Sequence, residues 1–241
     1  MRKYAVYLCC LFLLTLLTQA VNVQAAETSL AELQKAAERG DAEAQFILGK
    51  RYANGDGIAQ DGAKGTQWFR KAAEQGHALA QLAIGVRYEF GVDGVPKDIF
   101  KAVQWYEKAA EQGTGAVPVI TAIQGRLGEM YGKGDGIPQD YAKAAYWFQK
   151  AAEQGDAEAQ YYLGRLYFSG QGVSQDYYEA AKWFRKAADQ GNAYAQYALG
   201  VAYGSGSGVI RDEKIACNLL RTSAEQGHKG AIEAYNKNCA K

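Results

Sequence analysis

Imidazole and thiol groups carry much of enzyme catalysis and metal binding, and this sequence of 241 residues has only two histidines and four cysteines. His77 and His228 each directly follow a glycine, in equivalent positions of two related phrases. Other copies of the phrase have aspartate, threonine or asparagine there, which are residues that cap helices. We therefore interpret both histidines as turn residues and not as a pair of metal ligands.

Glycine-rich segments are the second candidate for chemistry, because Gly-x-Gly loops can bind phosphate groups. Here the pattern recurs after each predicted first helix and not after a strand, which is typical of turns. Motifs for nucleophilic or zinc-dependent hydrolysis, such as Gly-x-Ser-x-Gly and His-Glu-x-x-His, do not occur in the sequence. The sequence thus predicts a protein that is not an enzyme and has no catalytic, cofactor-binding or metal-binding residues.

Composition and charge limit the class of partner. With 48% hydrophobic and 22% charged residues, the chain is too apolar to be disordered. Its 27 Lys and Arg against 26 Asp and Glu give a net charge of +1, so no overall field attracts nucleic acid or anionic lipid. We expect the partner to be another protein or a peptide, and the chain itself to be a monomer.

The N-terminus has the pattern of a secretory signal peptide. Two basic residues precede an apolar run over residues 4–17, and Val-Gln-Ala at 23–25 has small residues where signal peptidase requires them. The run is too short to span a bilayer comfortably. We predict a signal peptide over residues 1–25, cleaved between Ala25 and Ala26, no membrane span, and a periplasmic or secreted bacterial protein.

One unit occurs five times along the chain. Each of the first four copies has a phrase such as WFRKAAEQG that begins with a tryptophan. The four tryptophans, Trp68, Trp105, Trp147 and Trp183, are spaced by 37, 42 and 36 residues. A second phrase, such as AQFILGKRYANGDGI, precedes each of them, and the fifth copy has Leu219 in the tryptophan position. Repetition at this period indicates a solenoid in which neighbouring units stack.

Each unit has the pattern of two helices. The first phrase spaces Ala44, Leu48 and Tyr52 four residues apart, which places them in one stripe on a helix. A Gly-x-Gly turn ends that helix, and an aspartate, Asp61 in the first copy, caps the second helix. The short connections make neighbouring helices antiparallel. We expect the tryptophan of the second helix to fill the space that the alanine-rich helices leave.

These phrases resemble the Sel-one-like repeat (SLR) family, a relative of the tetratricopeptide repeat. The matching pattern is A-x-A-Q-x-x-L-G-x-x-Y, then G-x-G-[VI], then W-[FY]-x-K-A-A-x-Q-G, and it extends from about Ala31 to Cys239. The resemblance implies an all-α fold, a right-handed α-solenoid of antiparallel helix pairs (an α/α superhelix). It also implies a scaffold or adaptor for other proteins.

The repeats divide the mature chain into consecutive segments. We predict an N-terminal helix within residues 26–40 and a partial capping repeat over 228–241. Between them, residues 41–227 hold five repeats, at 41–76, 77–113, 114–155, 156–191 and 192–227. The third repeat departs from the pattern, because six additional residues lengthen its start and Ile123 replaces an alanine.

Two cysteines, Cys217 and Cys239, remain after removal of the leader, and two cysteines in an exported chain suggest one disulfide. Cys217 lies 10 residues before the turn glycine Gly227 and Cys239 lies 12 residues after it, so antiparallel helices would bring them level. We predict a disulfide that holds the last half-unit. The alternative is two free thiols.

Aligning the repeats gives columns of equivalent residues, and some of these columns are not needed for the packing of the fold. A partner-binding surface is expected where such variable columns lie. In the first helices of the fourth and fifth repeats, these columns hold aromatic residues and an arginine, which are enriched in interfaces. We predict that a contact surface for a protein or peptide is lined by Tyr161, Tyr162, Arg165, Tyr194 and Tyr197. The alternative is that these tyrosines only pack between repeats.

The sequence therefore predicts a non-catalytic protein-interaction scaffold or adaptor, exported to the periplasm or secreted. An immunity protein that neutralises a toxic effector and a host-directed virulence factor are alternatives within this class. A β-lactam or cell-wall hydrolase is the alternative of a different class, because the resemblance extends to secreted SLR proteins described as penicillin-binding or β-lactam-hydrolysing. Those proteins have a cysteine pair in each repeat, which this sequence lacks.

Overall fold

The structure is a computed structural model that describes residues 29–112 and 118–240. The predicted signal peptide, residues 1–25, lies outside the described residues. The chain divides into two compact units, Met1–Thr114 and Gly115–Lys241. None of the helices in the described residues combines the length and the apolar character that crossing a bilayer requires.

Both units are built from helices, and the described residues contain no strand. The helices of the first unit are α1 (Leu30–Glu38), α2 (Ala42–Asn54), α3 (Gly62–Glu74), α4 (Ala78–Phe90) and α5 (Ile99–Glu111). Those of the second unit are α6 (Pro118–Lys133), α7 (Tyr141–Glu153), α8 (Ala157–Ser169), α9 (Tyr177–Asp189), α10 (Ala193–Ser205), α11 (Glu213–Glu225) and α12 (Lys229–Asn238). Within each unit every helix packs against the next one, as in a solenoid of helix pairs, so the predicted fold class is confirmed.

Polar caps fix where the helices begin, as the repeat pattern predicts. Asp41 accepts a hydrogen bond from the Ala44 amide at 2.7 Å and starts α2. Asp61 accepts one from the Lys64 amide at 2.9 Å and starts α3. The other second helices begin in the same way, at Asp98, Asp140, Asp176 and Asp212. Because the repeats other than the third start both of their helices at equivalent, capped positions, equivalent side chains of these repeats point in equivalent directions.

In the first four repeats, an aromatic ring of the second helix lies directly on a glycine of the first helix, and in the fifth repeat Leu220 takes this place on Gly200. A Cβ atom at Gly164 would lie only 2.6 Å from Cδ1 of Phe184. The equivalent pairs are Gly49 with Phe69, Gly85 with Tyr106, and Gly128 with Phe148. This ring belongs to the residue after the tryptophan, whereas Trp68 and Trp105 of the first unit are only partly buried. Trp68 nevertheless packs against the core residues of α1 and α2, as we expected of the tryptophan, and the aromatic ring after it fills the space above the glycine.

A recurring buried glutamine links successive repeats. The Gln160 side chain donates a hydrogen bond to the Ala152 carbonyl of α7 at 3.0 Å. Its Oε1 accepts one from Nε2 of Gln190, which follows α9, at 2.8 Å. The same two bonds are present at Gln45, Gln81 and Gln196. This one amide therefore joins three helices and leaves no buried polar group without a partner at that point.

In the second, fourth and fifth repeats the turn packs against the preceding repeat. A Cβ atom at Gly208 would lie 1.9 Å from the carbonyl oxygen of Tyr177, the first residue of α9. In the second repeat the turn has Asp93 instead, and the first residue of the preceding α3 is Gly62, which makes room for the Asp93 carboxylate. Asp93 also forms an ion pair with the largely buried Arg87 at 3.0 Å. The larger side chain of Asp93 in this turn is thus accommodated by a glycine, Gly62, at the start of α3.

The third repeat and the C-terminus show the departures that the sequence suggests. α6 has 16 residues where the other first helices of complete repeats have 13, and Ile123 lies buried within it. Cys217 on α11 and Cys239, the C-cap residue of α12, form a disulfide with their Cα atoms 5.6 Å apart. This is the pairing that the hairpin spacing predicts, and it ties the last helix to the fifth repeat.

Candidate partner-binding groove

Two equivalent helices of the second unit carry the predicted contact residues. α8 carries Tyr161, Tyr162 and Arg165, and α10 carries Tyr194 and Tyr197. Both helices have 13 residues, begin at a capped residue and end at a glycine in the left-handed conformation. Because the two helices share one register, their variable columns lie on the same side of the second unit.

A groove of about 520 Å³ opens on this side, with lining residues from α6, α7, α8, α9 and α10. Its lining is largely aromatic and includes Phe148, Tyr161, Tyr162, Phe168, Phe184 and Tyr197. The charged lining residues are Glu129, Lys133 and Arg165. The volume lies in the range of pockets that hold small ligands, so the groove can accept one or more side chains of a peptide.

The structure brings four of the five predicted residues into this lining. Tyr161, Tyr162 and Tyr197 are half-buried, and Arg165 is exposed with its guanidinium carbon 5.8 Å from the centre of the Tyr161 ring. Tyr194 is not part of the lining, but its ring centre lies 5.7 Å from that of Tyr161 and its side chain is 50% exposed. The predicted set is thus one contiguous patch.

The tyrosines also make the inter-repeat contacts that the alternative interpretation requires. Tyr162 stacks on Phe148 of α7 with ring centres 5.0 Å apart, and Tyr197 stacks on His228 at 4.7 Å. Tyr162 and Tyr197 therefore have both roles, because a neighbouring ring covers one face of each while the residue still borders the groove. Such packing holds the rings in place before a partner arrives.

Sequence reasoning missed part of the lining. Phe148 and Phe184 occupy the framework position after the tryptophan and were not among the predicted contact residues. Phe168 stands in a column that has alanine, glutamate or glycine in the other repeats, and this unusual aromatic residue is a signal that could have been used. Glu129 occupies the column that holds Arg165 in the next repeat, so the same variable-column argument would have found it.

The electrostatics of the groove are set by carboxylates near Tyr162. Its hydroxyl is partly desolvated and lies near Glu129 and Glu158, which together raise the pKa of Tyr162 to about 12. Partial desolvation, with the neighbouring charge of Glu129, also raises the pKa of Glu158 above its ordinary value, although this side chain is exposed and is not part of the lining. Tyr162 therefore stays a neutral hydroxyl at physiological pH, and Glu158 is a carboxylate whose charge is poorly compensated.

The two histidines lie at helix starts, as the sequence suggests. Nδ1 of His77 accepts a hydrogen bond from the Ala80 amide, and Nδ1 of His228 accepts one from the Ala231 amide, both at 3.1 Å. Each imidazole thus caps its own helix. Over residues 29–112 and 118–240, no group of three His, Cys, Asp or Glu side chains is arranged to hold a metal ion.

Comparison with known proteins identifies the repeats. Five segments match the Sel1 repeat, at residues 42–77, 78–114, 124–156, 157–192 and 193–228. No curated protein is significantly similar to the chain.

Two solved structures are similar to the chain over most of its length. A protective antigen present in uropathogenic Escherichia coli strains, which displays an SLR fold, is 38% identical, with a TM-score of 0.68 over 86% of this chain. The alignment spans only 43% of that antigen. A Sel1 repeat protein from Oxalobacter formigenes is 30% identical, with a TM-score of 0.70, over 90% of this chain and 87% of its own.

The repeat matches cover more than half of the sequence, and the stacked helix pairs agree with these solved structures. The chain belongs to the Sel1 repeat family, whose helical repeats act as scaffolds for interactions between proteins.

Proposed function

We propose that this chain is an exported, monomeric and non-enzymatic adaptor that binds a segment of another protein in the groove of its second unit. The observation that carries the proposal is the groove itself, an aromatic cavity of about 520 Å³ bordered by Tyr161, Tyr162, Arg165 and Tyr197. Tyrosine and arginine are the residue types that dominate binding energy at interfaces. Because neighbouring rings already hold the tyrosines, binding would cost little conformational entropy.

Export is the second part of the proposal. A disulfide between Cys217 and Cys239 fits an oxidising compartment, and reducing compartments rarely preserve such bonds. The similarity to a protective antigen supports the same location. We propose that residues 1–25 are removed as a signal peptide between Ala25 and Ala26. The mature protein then comprises the N-terminal helix, the five repeats and the partial capping repeat within the predicted boundaries.

The groove is tested with a pair of variants. The double variant Tyr162→Ala and Tyr197→Ala removes two rings from the lining, whereas Tyr178→Ala removes a ring that is 68% exposed and lies outside it. The protein recovered with the wild-type chain from the native envelope is purified, and its affinity is measured by titration calorimetry. We expect the double variant to lose at least tenfold in affinity and Tyr178→Ala to bind as the wild type does. A double variant that melts normally and still binds with full affinity contradicts the proposal.

Three further measurements address the remaining parts. Mass spectrometry of the exported chain gives its N-terminus, and light scattering after size exclusion gives its oligomeric state. Absence of nitrocefin turnover by the pure protein is the expected result for a non-enzymatic protein, and turnover would favour the hydrolase alternative. The identity of the recovered partner separates a general adaptor from an immunity protein or a host-directed virulence factor.

A further inference from the structure

One helix of the fourth repeat carries two opposite charges without charged partners, Arg165 in the groove lining and Glu158 one turn before Tyr162. Among the described residues, Glu158 forms no ion pair with a basic side chain, and Arg165 forms none with an acidic one. They lie seven residues apart on α8, which is about 10 Å along a helix, and Tyr161 and Tyr162 lie between them. The charges are thus too far apart to pair with each other.

The other charged groups of the groove do not neutralise this pair. Lys133 is exposed and bonded to Glu129 one turn away on α6. Arg126 lies 3.9 Å from the same Glu129 carboxylate. Both contacts lie within α6, and although Lys133 lies near enough to Glu158 to lower its pKa, it forms no ion pair with this carboxylate. On α8 the acidic side chain therefore lies in the first turn, and the basic side chain lies two turns further on, in the groove lining.

The first repeat shows what such a site accommodates. Glu43 stands in the same column as Glu158, and its carboxylate accepts a hydrogen bond from Nε2 of His77 at 2.9 Å. The imidazole also stacks on Phe46, with ring centres 4.6 Å apart. Phe46 stands in the same column as Tyr161. A planar nitrogen group bonded to the glutamate and stacked on the aromatic ring is thus already present in this protein.

In the fourth repeat nothing equivalent to His77 is present. The residue in its column is Asn192, whose side-chain oxygen is used to cap α10 by accepting the Ala195 amide at 2.9 Å. Glu158 and the exposed face of the neighbouring aromatic rings are left without the group that completes the first repeat. Arginine is the side chain best suited to supply it from outside, since its guanidinium is planar, stacks on aromatic rings and forms paired bonds to a carboxylate.

We propose that the groove binds an extended segment of another protein in which an arginine, an apolar residue and an acidic residue occupy alternate positions, with the two charges four positions apart. The arginine pairs with Glu158 and stacks on the tyrosines, the apolar side chain enters the aromatic cavity, and the acidic residue pairs with Arg165. Alternate side chains of an extended chain point to the same face, and four residues of it span about 13 Å; the long arginine side chain covers the difference from the roughly 10 Å that separate Glu158 and Arg165 along α8. This inference rests on the proposed function, because it specifies the chemistry of the segment that the same groove binds.

The test uses a phage-displayed library of random dodecapeptides, selected on the full chain. We expect the enriched peptides to share an arginine, an apolar residue and an acidic residue in this spacing. The affinity of one enriched peptide, labelled with fluorescein, is then measured by anisotropy beside an analogue that has citrulline in place of the arginine. Citrulline keeps the shape of arginine and removes its charge.

The expected results form a double-mutant cycle, in which the arginine of the peptide and Glu158 of the protein are changed separately and together. Citrulline lowers the affinity about fivefold to tenfold on the wild-type chain and has no further effect on Glu158→Gln. The matched control is Glu43→Gln, which changes the equivalent carboxylate of the first repeat and should leave the affinity within twofold. Enriched peptides without arginine, or an equal effect of citrulline on wild type and Glu158→Gln, overturn this inference.

Failure of the proposed function has a different signature. If the enriched peptides bind equally well to the double variant Tyr162→Ala and Tyr197→Ala, the groove is not the binding site and both proposals are wrong. The same holds if no peptide is enriched. If binding requires these tyrosines but not the arginine, the adaptor function stands and only the charge pattern is refuted.

Discussion

Alanine at Gly208 is expected to destabilise the second unit more than alanine at Gly191, although both glycines have a left-handed backbone. Their φ angles are +72° and +87°. An alanine pays about 1–2 kcal/mol for that conformation at either position. At Gly191 a new Cβ atom would meet nothing within 4 Å, whereas at Gly208 it would lie 1.9 Å from the carbonyl oxygen of Tyr177. Only Gly208 therefore needs space in the contact between two repeats.

The difference between the two variants measures this contact. Overpacking adds about 1–3 kcal/mol, because the turn must move away from the start of α9. We expect the free energy of unfolding to fall by about 1–2 kcal/mol for Gly191→Ala and by about 2–5 kcal/mol for Gly208→Ala. Urea denaturation followed by circular dichroism gives both values. Equal losses would refute the argument that the turn of the fifth repeat packs closely on the fourth repeat.

Four substitutions test other contacts. Cys217→Ser and Cys239→Ser should each lower the free energy of unfolding by about 3 kcal/mol under oxidising conditions, since the closed loop has a separation of 22 residues, and a reductant should abolish the difference from wild type. Glu43→Gln should cost about 0.5–1 kcal/mol at pH 7, because the hydrogen bond from His77 lowers the pKa of Glu43 and so favours the folded protein above the ordinary pKa; the loss should disappear as the pH falls through the lowered pKa. Glu158→Gln should instead stabilise the protein by a few tenths of a kcal/mol at pH 7, because the raised pKa of Glu158 favours folding only in acid, and this gain should vanish below its ordinary pKa. Melting curves at pH 7 and at acidic pH check both signs, and shifts in the same direction at pH 7 would contradict the assignment of the two carboxylates.

Local chemistry made much of the fold predictable. The cap at Asp41 and the turn glycine Gly55 depend on hydrogen bonds and backbone angles within a few residues, so the sequence pattern locates them directly. The pairing of Cys217 with Cys239 follows from the same logic, since one short turn fixes the register of two antiparallel helices.

Packing contacts between helices were harder to predict. Nothing in the local sequence says that Phe184, and not the tryptophan before it, lies on Gly164. The mutual adjustment of Asp93 and Gly62 likewise appears only when neighbouring repeats are stacked. These contacts depend on the distance between helix axes, which residue spacing alone does not give.

The candidate groove was partly predictable for the same reason. Variable columns identified Tyr161, Tyr162 and Arg165, because side chains that the framework does not need stand out in an alignment of the repeats. The cavity beside them depends on how five helices pack, so its full lining became visible only in the structure.

Photo-crosslinking tests most directly the central claim that the groove of the second unit binds another polypeptide. Benzoylphenylalanine is incorporated in place of Phe168, which lines the groove and is 42% exposed, or in place of Phe100 on α5, which is 60% exposed. After irradiation of intact cells, we predict a crosslink to one other protein from the probe in the groove and none from the probe on α5. Crosslinks from the α5 position alone, or the same products from both positions, would contradict the account.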